Sequence, residues 1–272
     1  MHKIFIDRAG NCIDYQIFGN GHRYIFCFPG FSESSEVFSF LSEHIVNYRV
    51  VAVNLYFIAK SKKTFPNLPL HPIEWQQTFN EFLSHLRVDR FSVLAFSLGG
   101  RFAAVTLQQF HQKMDHLIMV APDAIQLRLT YQFATFPFGP KQLFKLLMQY
   151  PMPFFGLIRL LSYLRMINSF TTKFALKHMG NSEIRSTLYN SWIGFKPLRV
   201  NQKQLVDLLK STSCLSFFIF GEKDKVIDPN RHKHFINQLS NTEVKILPFG
   251  HNKLVNNSIE EIKKFMTHQT SQ

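Results

Sequence analysis

The stretch Phe91–Ala104, FSVLAFSLGGRFAA, runs from aromatic and β-branched residues into a serine and two glycines, and then into a helix-like run. RFSVLAFS reads as a strand and GGRFAAVTLQQFHQ as the helix after it. Ser97 therefore stands at a strand-to-helix junction, either as a nucleophile on a tight elbow or as the cap of the helix. The elbow pattern is G-x-S-x-G. Here it reads Ala95-Phe96-Ser97-Leu98-Gly99, with one methyl where glycine is usual.

Outward from this junction the chain alternates short strand-like runs with helical ones. KIFID and CIDYQIF form an expected antiparallel pair around the turn Ala9-Gly10-Asn11, and RYIFCF has the continuous apolar character of a strand buried on both faces. A helix is expected from Ser34 or Ser35, with Val37, Phe38, Leu41 and Ile45 at helical spacing. RVVAVNL (strand), IEWQQTFNEFLSHL (helix) and, beyond the central pair, DHLIMVAP (strand) continue the pattern. It resumes late in the chain with CLSFFIFG, PNRHKHFINQL, EVKILPF and SIEEIKKFM. Repeated βα units of this length imply an α/β fold, a mostly parallel twisted sheet with helices on both faces.

Composition narrows the class. With 46% hydrophobic and 18% charged residues, 272 residues can bury a sizeable core. MHKIFIDRAG holds no apolar run long enough for a signal peptide, and no uncharged apolar stretch of about 18 residues occurs, so a soluble cytoplasmic protein is expected. Cys12, Cys27 and Cys214 are widely spaced among apolar residues and suggest buried thiols rather than a metal site or a disulfide framework. The net charge of +13 is concentrated. Between Ile125 and Lys203 lie Arg128, Lys141, Lys145, Arg159, Arg165, Lys173, Lys177, Arg185, Lys196, Arg199 and Lys203, against the single acid Glu183. No Walker, zinc-finger or recognition-helix pattern accompanies that charge, which leaves nucleic acid as the weakest partner.

In parallel sheets, chemistry gathers at the carboxyl ends of the strands. Four features arrive there in order: Phe28-Pro29-Gly30-Phe31, Ala95-Phe96-Ser97-Leu98-Gly99-Gly100, Gly221-x-x-Asp224 with Pro229 beyond it, and Gly250-His251. In these marks nearly the whole chain resembles the α/β-hydrolase family. The resemblance implies a nucleophile Ser97, a base His251 and an orienting acid Asp224, because a serine hydroxyl needs a histidine to remove its proton and a carboxylate to fix that histidine's tautomer. It implies backbone N–H donors at Phe31 and Leu98 for the developing oxyanion, and small residues around the elbow at Ala95, Gly99 and Gly100. Glu222, Asp228 and Asp123 compete for the role of the acid. Asp228 precedes Pro229 and reads better as a helix cap, whereas Asp123 matches the position used by some members of the family. His178, His232 and His234 carry no motif.

Two departures from the family pattern stand out. Pro29 occupies the position where a histidine is common, and Asn54-Leu55-Tyr56-Phe57 with Lys60, Lys62 and Lys63 replaces an Asp-x-x-Gly-x-Gly-x-Ser loop. Residues 125–205 sit where the family inserts a helical cap, which leaves 1–124 and 206–272 as the core. Within that insertion Pro140, Pro151 and Pro153 divide expected helices at Lys141–Tyr150 and Phe154–Asn168, with others at Lys173–Met179 and Glu183–Trp192. Its interleaved basic and apolar residues also fit a surface that meets anionic membrane or a negatively charged acyl carrier. The resemblance implies a serine hydrolase acting on a small-molecule ester or thioester, with no metal and no organic cofactor. Carbon–carbon bond hydrolases and lyases share the motifs, whereas a non-catalytic binding homologue would be favoured by the loss of His251 or Asp224, and both are present. Haloalkane dehalogenases and epoxide hydrolases are disfavoured, because they place Asp where Ser97 stands.

Overall fold

Eight strands form one sheet in the computed structural model, which describes residues 1–64, 69–125, 129–167, 172–173, 176, 179–240 and 242–268. They are β1 (His2–Ile6), β2 (Cys12–Phe18), β3 (Arg23–Phe28), β4 (Tyr48–Val53), β5 (Phe91–Phe96), β6 (Met114–Val120), β7 (Leu215–Gly221) and β8 (Thr242–Leu247). The spatial order is β1-β2-β4-β3-β5-β6-β7-β8. The β1–β2 and β2–β4 pairings are antiparallel, and every pairing from β4 to β8 is parallel. β5 lies between β3 and β6 and is buried along its whole length, which is why its sequence does not alternate.

Contacts divide the chain into two compact bodies. One comprises Met1–Thr64, Leu70–Gln126 and Pro197–Gln272, and the other comprises Phe65–Pro69 and Leu127–Lys196. The residues from Pro197 to Leu205, assigned to the insertion on sequence grounds, thus group with the sheet body.

In the sheet body, helices α1 (Leu41–His44), α2 (Pro72–Leu86) and α3 (Gly99–Phe110) precede the second body. α2 buries Trp75, Thr78, Phe79, Phe82 and Leu83, the stripe that a 3.6-residue period places on one face. Its first turn is held by Pro72 and by the Glu74 carboxylate, which accepts the His71 N–H at 2.7 Å. The stripe meets Phe26, Phe28 and Phe91 of the sheet in edge-on ring contacts 5.1–6.1 Å between centroids. Each such ring is worth about 1.5–3 kcal/mol in burial alone. Trp75 Nε1–H donates to Thr106 Oγ1 at 2.9 Å and ties α2 to α3.

The opposite face is covered from the end of the chain. Ser92 follows Phe91 and so points the other way, where its hydroxyl lies 3.0 Å from His116 Nδ1. His116 and Phe217 both pack on Phe265 of the last helix, Ile259–His268.

The second body contains α4 (Leu129–Ala134), α5 (Gly139–Gln149), α6 (Met152–Tyr163) and α7 (Ser182–Gly194). α6 starts earlier than expected because Pro153 is tolerated in a first turn, and it ends at Tyr163 rather than Asn168. Asn181 caps α7, accepting N–H bonds from Glu183 and Ile184. The helix expected at Lys173–Met179, with His178, lies largely outside the described residues.

The helix expected from Ser34 is a correction. A single 3₁₀ turn, Ser35–Phe38, and the four-residue α1 replace it. Ser35 is tethered instead: its N–H donates to Asn54 Oδ1 at 2.6 Å and its hydroxyl to Gln16 Oε1 at 3.0 Å. These bonds compete with helix propagation.

Candidate active site

Ser97 sits between β5 and α3 with φ of 49°, in the left-handed region that non-glycine residues rarely adopt. Neighbouring backbone holds it there. Its N–H donates to Val120 O at 3.0 Å, and its carbonyl accepts the Asp123 N–H at 2.8 Å, so both peptide groups are tied to the end of β6. The cap of α3 is Leu98, with no side-chain capping bond, so Ser97 is not a helix cap. The expected small residues fall where the chain is crowded. A Cβ at Gly99 would stand 2.1 Å from Phe28 O, and one at Gly100 would stand 2.7 Å from Pro122 Cβ. Ala95 is fully buried in register with Phe28 and Met119, and its methyl fits.

The loops after β7 and β8 are bound to each other. Glu222 N–H donates to Leu247 O at 2.8 Å and Lys223 N–H to Phe249 O at 3.2 Å. Gly221 allows this approach, since a Cβ there would lie 2.5 Å from Phe249 O. The result is a short chain of polar contacts. Asp224 Oδ2 lies 2.6 Å from His251 Nδ1, and His251 Nε2 lies 3.0 Å from Ser97 Oγ. Asp224 Oδ1 is occupied by the N–H groups of Val226 and Ile227 at 2.7 and 2.8 Å, which fix the carboxylate's rotation. An ionised carboxylate only accepts, so Nδ1 carries the imidazole proton and Nε2 is free to accept from the serine hydroxyl. The His251 ring also rests on Phe96, with centroids 4.8 Å apart.

The competing acids are placed elsewhere. Glu222 is exposed, and Asp228 accepts the Asn230 N–H at 2.9 Å as the cap of a 3₁₀ turn begun by Pro229. Asp123 Oδ2 pairs with Arg101 Nη2 at 2.8 Å, and Arg101 Nε–H donates to the Asp123 carbonyl. Of the expected oxyanion donors, Leu98 is at the N-cap of α3 and Phe31 is in the turn after β3.

Two neighbours escaped the sequence reading. Arg101 is 1% exposed on an otherwise apolar helix face, and a lone charge in GGRFAAV was its visible signal. Glu33 closes the Gly30–Glu33 turn twice: its carboxylate Oε2 accepts the Gly30 N–H at 3.1 Å, and its own N–H donates to Gly30 O at 3.3 Å. Burial raises the Glu33 pKa above the ordinary carboxylate value, while the Gly30 N–H and the neighbouring His251 pull it back. Among the described residues, no group of three or more His, Cys, Asp or Glu could hold a metal ion, and no helix is long and apolar enough to cross a membrane.

A sequence profile described as the alpha/beta hydrolase fold matches residues 24–258. No curated protein matches the sequence. Among solved structures the chain is similar to a hydrolase from Pseudomonas aeruginosa PA01, at 15% identity with 98% of each chain covered and a TM-score of 0.71. It is similar to a thermophilic esterase from Thermogutta terrifontis at 14% identity, with 100% of this chain and 98% of that one covered and a TM-score of 0.71. A meta-cleavage product hydrolase from Pseudomonas fluorescens IP01 is similar at 14% identity, with 98% and 97% covered and a TM-score of 0.65. At such identities the structural likeness is one of fold. The profile match spans most of the sequence and agrees with the order of the strands, and on that basis the chain belongs to the α/β-hydrolase fold family.

Proposed function

We propose that the protein is a serine hydrolase that cleaves a carboxylic ester or thioester through an acyl-enzyme. The observation that carries this reading is the continuous contact from Asp224 Oδ2 through both His251 nitrogens to Ser97 Oγ, at 2.6 and 3.0 Å. Ser97 Oγ attacks the acyl carbon while Nε2 of His251 takes its proton, and Asp224 stabilises the resulting imidazolium. The electron pair displaced onto the carbonyl oxygen is held by the backbone N–H groups of Phe31 and Leu98, the latter favoured by its place at a helix N-terminus. Collapse expels the alcohol or thiol, which receives the proton from His251. Water, deprotonated by the same nitrogen, attacks the acyl carbon; the Ser97 Oγ–acyl bond breaks, the acid leaves and His251 returns the proton to Ser97 Oγ.

The buried serine, 8% exposed on a strained elbow, supports a nucleophile over a surface hydroxyl. An esterase among the fold neighbours is in keeping with this chemistry. A fluorophosphonate probe should label the wild type and leave Ser97→Ala unlabelled; equal labelling of the two would overturn the assignment. A panel of p-nitrophenyl esters of graded chain length, beside acyl thioesters, then identifies the acyl and leaving groups.

A further inference from the structure

A carboxylate beside a site that must stabilise negative charge requires a physical reason. Glu33 is such a group. Its Oε2 accepts the N–H of Gly30, the residue just before the Phe31 amide assigned to the oxyanion. A Cβ placed on Gly30 would touch both sides of the cluster, 2.8 Å from Glu33 Oε2 and 3.0 Å from Phe96 Cδ1. The Phe96 ring in turn packs on His251. Glu33, Gly30, Phe96 and His251 are therefore contiguous at the reacting centre.

The carboxylate is incompletely compensated. Among the described residues, no lysine or arginine forms an ion pair with Glu33, and the Gly30 N–H is the one hydrogen bond its side chain accepts. It is not fully enclosed, because the residue retains intermediate exposure. Burial makes the ionised form costly, as the upward shift of its pKa records. A cation brought in by the ligand would relieve that cost, and a second anion would increase it.

We propose that Glu33 is a charge filter that favours substrates bearing a cationic group near the scissile carbonyl and rejects those bearing a carboxylate there. This rests on the serine-hydrolase reading for the position of the carbonyl. The turn itself could be the residue's whole contribution, and the variants separate the two roles. Gln at position 33 keeps an oxygen to accept the Gly30 N–H and removes the charge, whereas Ala removes both.

The first measurement is equilibrium binding at pH 8 by calorimetry, in a Ser97→Ala background that does not consume its ligand. Three methyl esters of similar length are compared: 4-(trimethylammonio)butyrate, hexanoate and hemiglutarate. At an effective dielectric of about 20 and a separation of about 8 Å, the Glu33 charge is expected to shift each charged ligand by about 30-fold relative to hexanoate, in opposite directions, and so to separate the cationic and anionic ligands by about 1,000-fold in affinity. Glu33→Gln should collapse that ratio to within about threefold and leave hexanoate binding unchanged. A ratio that is absent, or that survives Glu33→Gln, overturns the proposal. So does a pattern in which Glu33→Ala alone weakens all three ligands equally, because that is the signature of a turn.

The second measurement is turnover of the matching p-nitrophenyl esters by the enzyme with Ser97 intact. The same ordering in kcat/KM, lost in Glu33→Gln, supports the filter, and an ordering unaffected by Glu33→Gln opposes it. Turnover that persists in Ser97→Ala refutes the hydrolase reading instead, and leaves the binding result to judge Glu33 alone.

Discussion

Asp224→Asn changes one atom type, and the structure dictates what that atom does. Asp224 Oδ1 accepts two backbone N–H groups at 2.7 and 2.8 Å, so the amide oxygen of Asn must take that place. The flipped rotamer would point NH2 at two donors and leave buried groups unpaired, at about 1–3 kcal/mol each. The amide NH2 is thereby forced to face His251 Nδ1, where the carboxylate oxygen now stands at 2.6 Å. Nδ1 must then accept, the imidazole proton moves to Nε2, and that proton points at Ser97 Oγ across 3.0 Å. In this tautomer the histidine cannot take the serine proton. The comparable change in a serine protease lowers kcat by about 10,000-fold, or about 5 kcal/mol of transition-state stabilisation. The assay is steady-state hydrolysis of the best p-nitrophenyl ester from the panel, with a thermal melt to check that the fold persists. A folded Asp224→Asn enzyme within tenfold of the wild-type kcat would refute the tautomer argument and return the acid to another residue.

Four further outcomes are expected. Asp123→Ala removes the carboxylate that pairs with the buried Arg101 guanidinium, and should destabilise the chain by about 3 kcal/mol in urea denaturation; an unchanged midpoint would contradict the pairing. Burial lowers the His116 pKa, so the neutral imidazole is native, and its contribution to stability is present above the unfolded value of about 6.5 and lost as pH falls through the folded one. His116→Gln should flatten the decline of Tm between pH 7 and pH 5, and an identical decline would count against this. Burial pushes the Cys27 thiol well up and that of Cys214 to about 12, so Ellman's reagent at pH 8 should find at most one rapid thiol in the native chain, at Cys12, and all 3 after denaturation; rapid reaction of a second would refute it. The basic residues between Ile125 and Lys203 should make the protein cosediment with anionic vesicles more than with neutral ones, and release in high salt. Equal sedimentation with both would remove the membrane from consideration.

The elbow was legible in the sequence because its residues answer to short-range steric demands. Gly99 and Gly100 stand where a Cβ would collide with Phe28 O and Pro122, and β5 is apolar apart from Ser92 because it is covered on both faces. The contacts of Asp224 and His251 follow from two loops that hydrogen-bond to each other, and the glycine that permits this approach, Gly221, is visible as a letter. The segment after Ser34 was misread because Val37, Phe38, Leu41 and Ile45 do fit a helix period. What stops the helix is side-chain bonding to Asn54 and Gln16, which no local pattern reveals. Glu33 was missed for a related reason. Its significance depends on His251, which lies near the other end of the chain, and a lone glutamate between serines carries no periodic signal.

The position of β8 has a consequence for how this protein fails. β8 is an edge strand of the sheet, paired on one side to β7, and His251 lies in the loop that follows it, 154 residues from its contact at Ser97. Edge elements open at lower free energy than the centre of a sheet. Fraying of this one strand would carry the imidazole away from the serine while β3, β5 and β6 remain paired. Loss of Ser97 reactivity should therefore run ahead of the loss of secondary structure on heating, so that the serine reports the integrity of the sheet's margin rather than the melting of its interior.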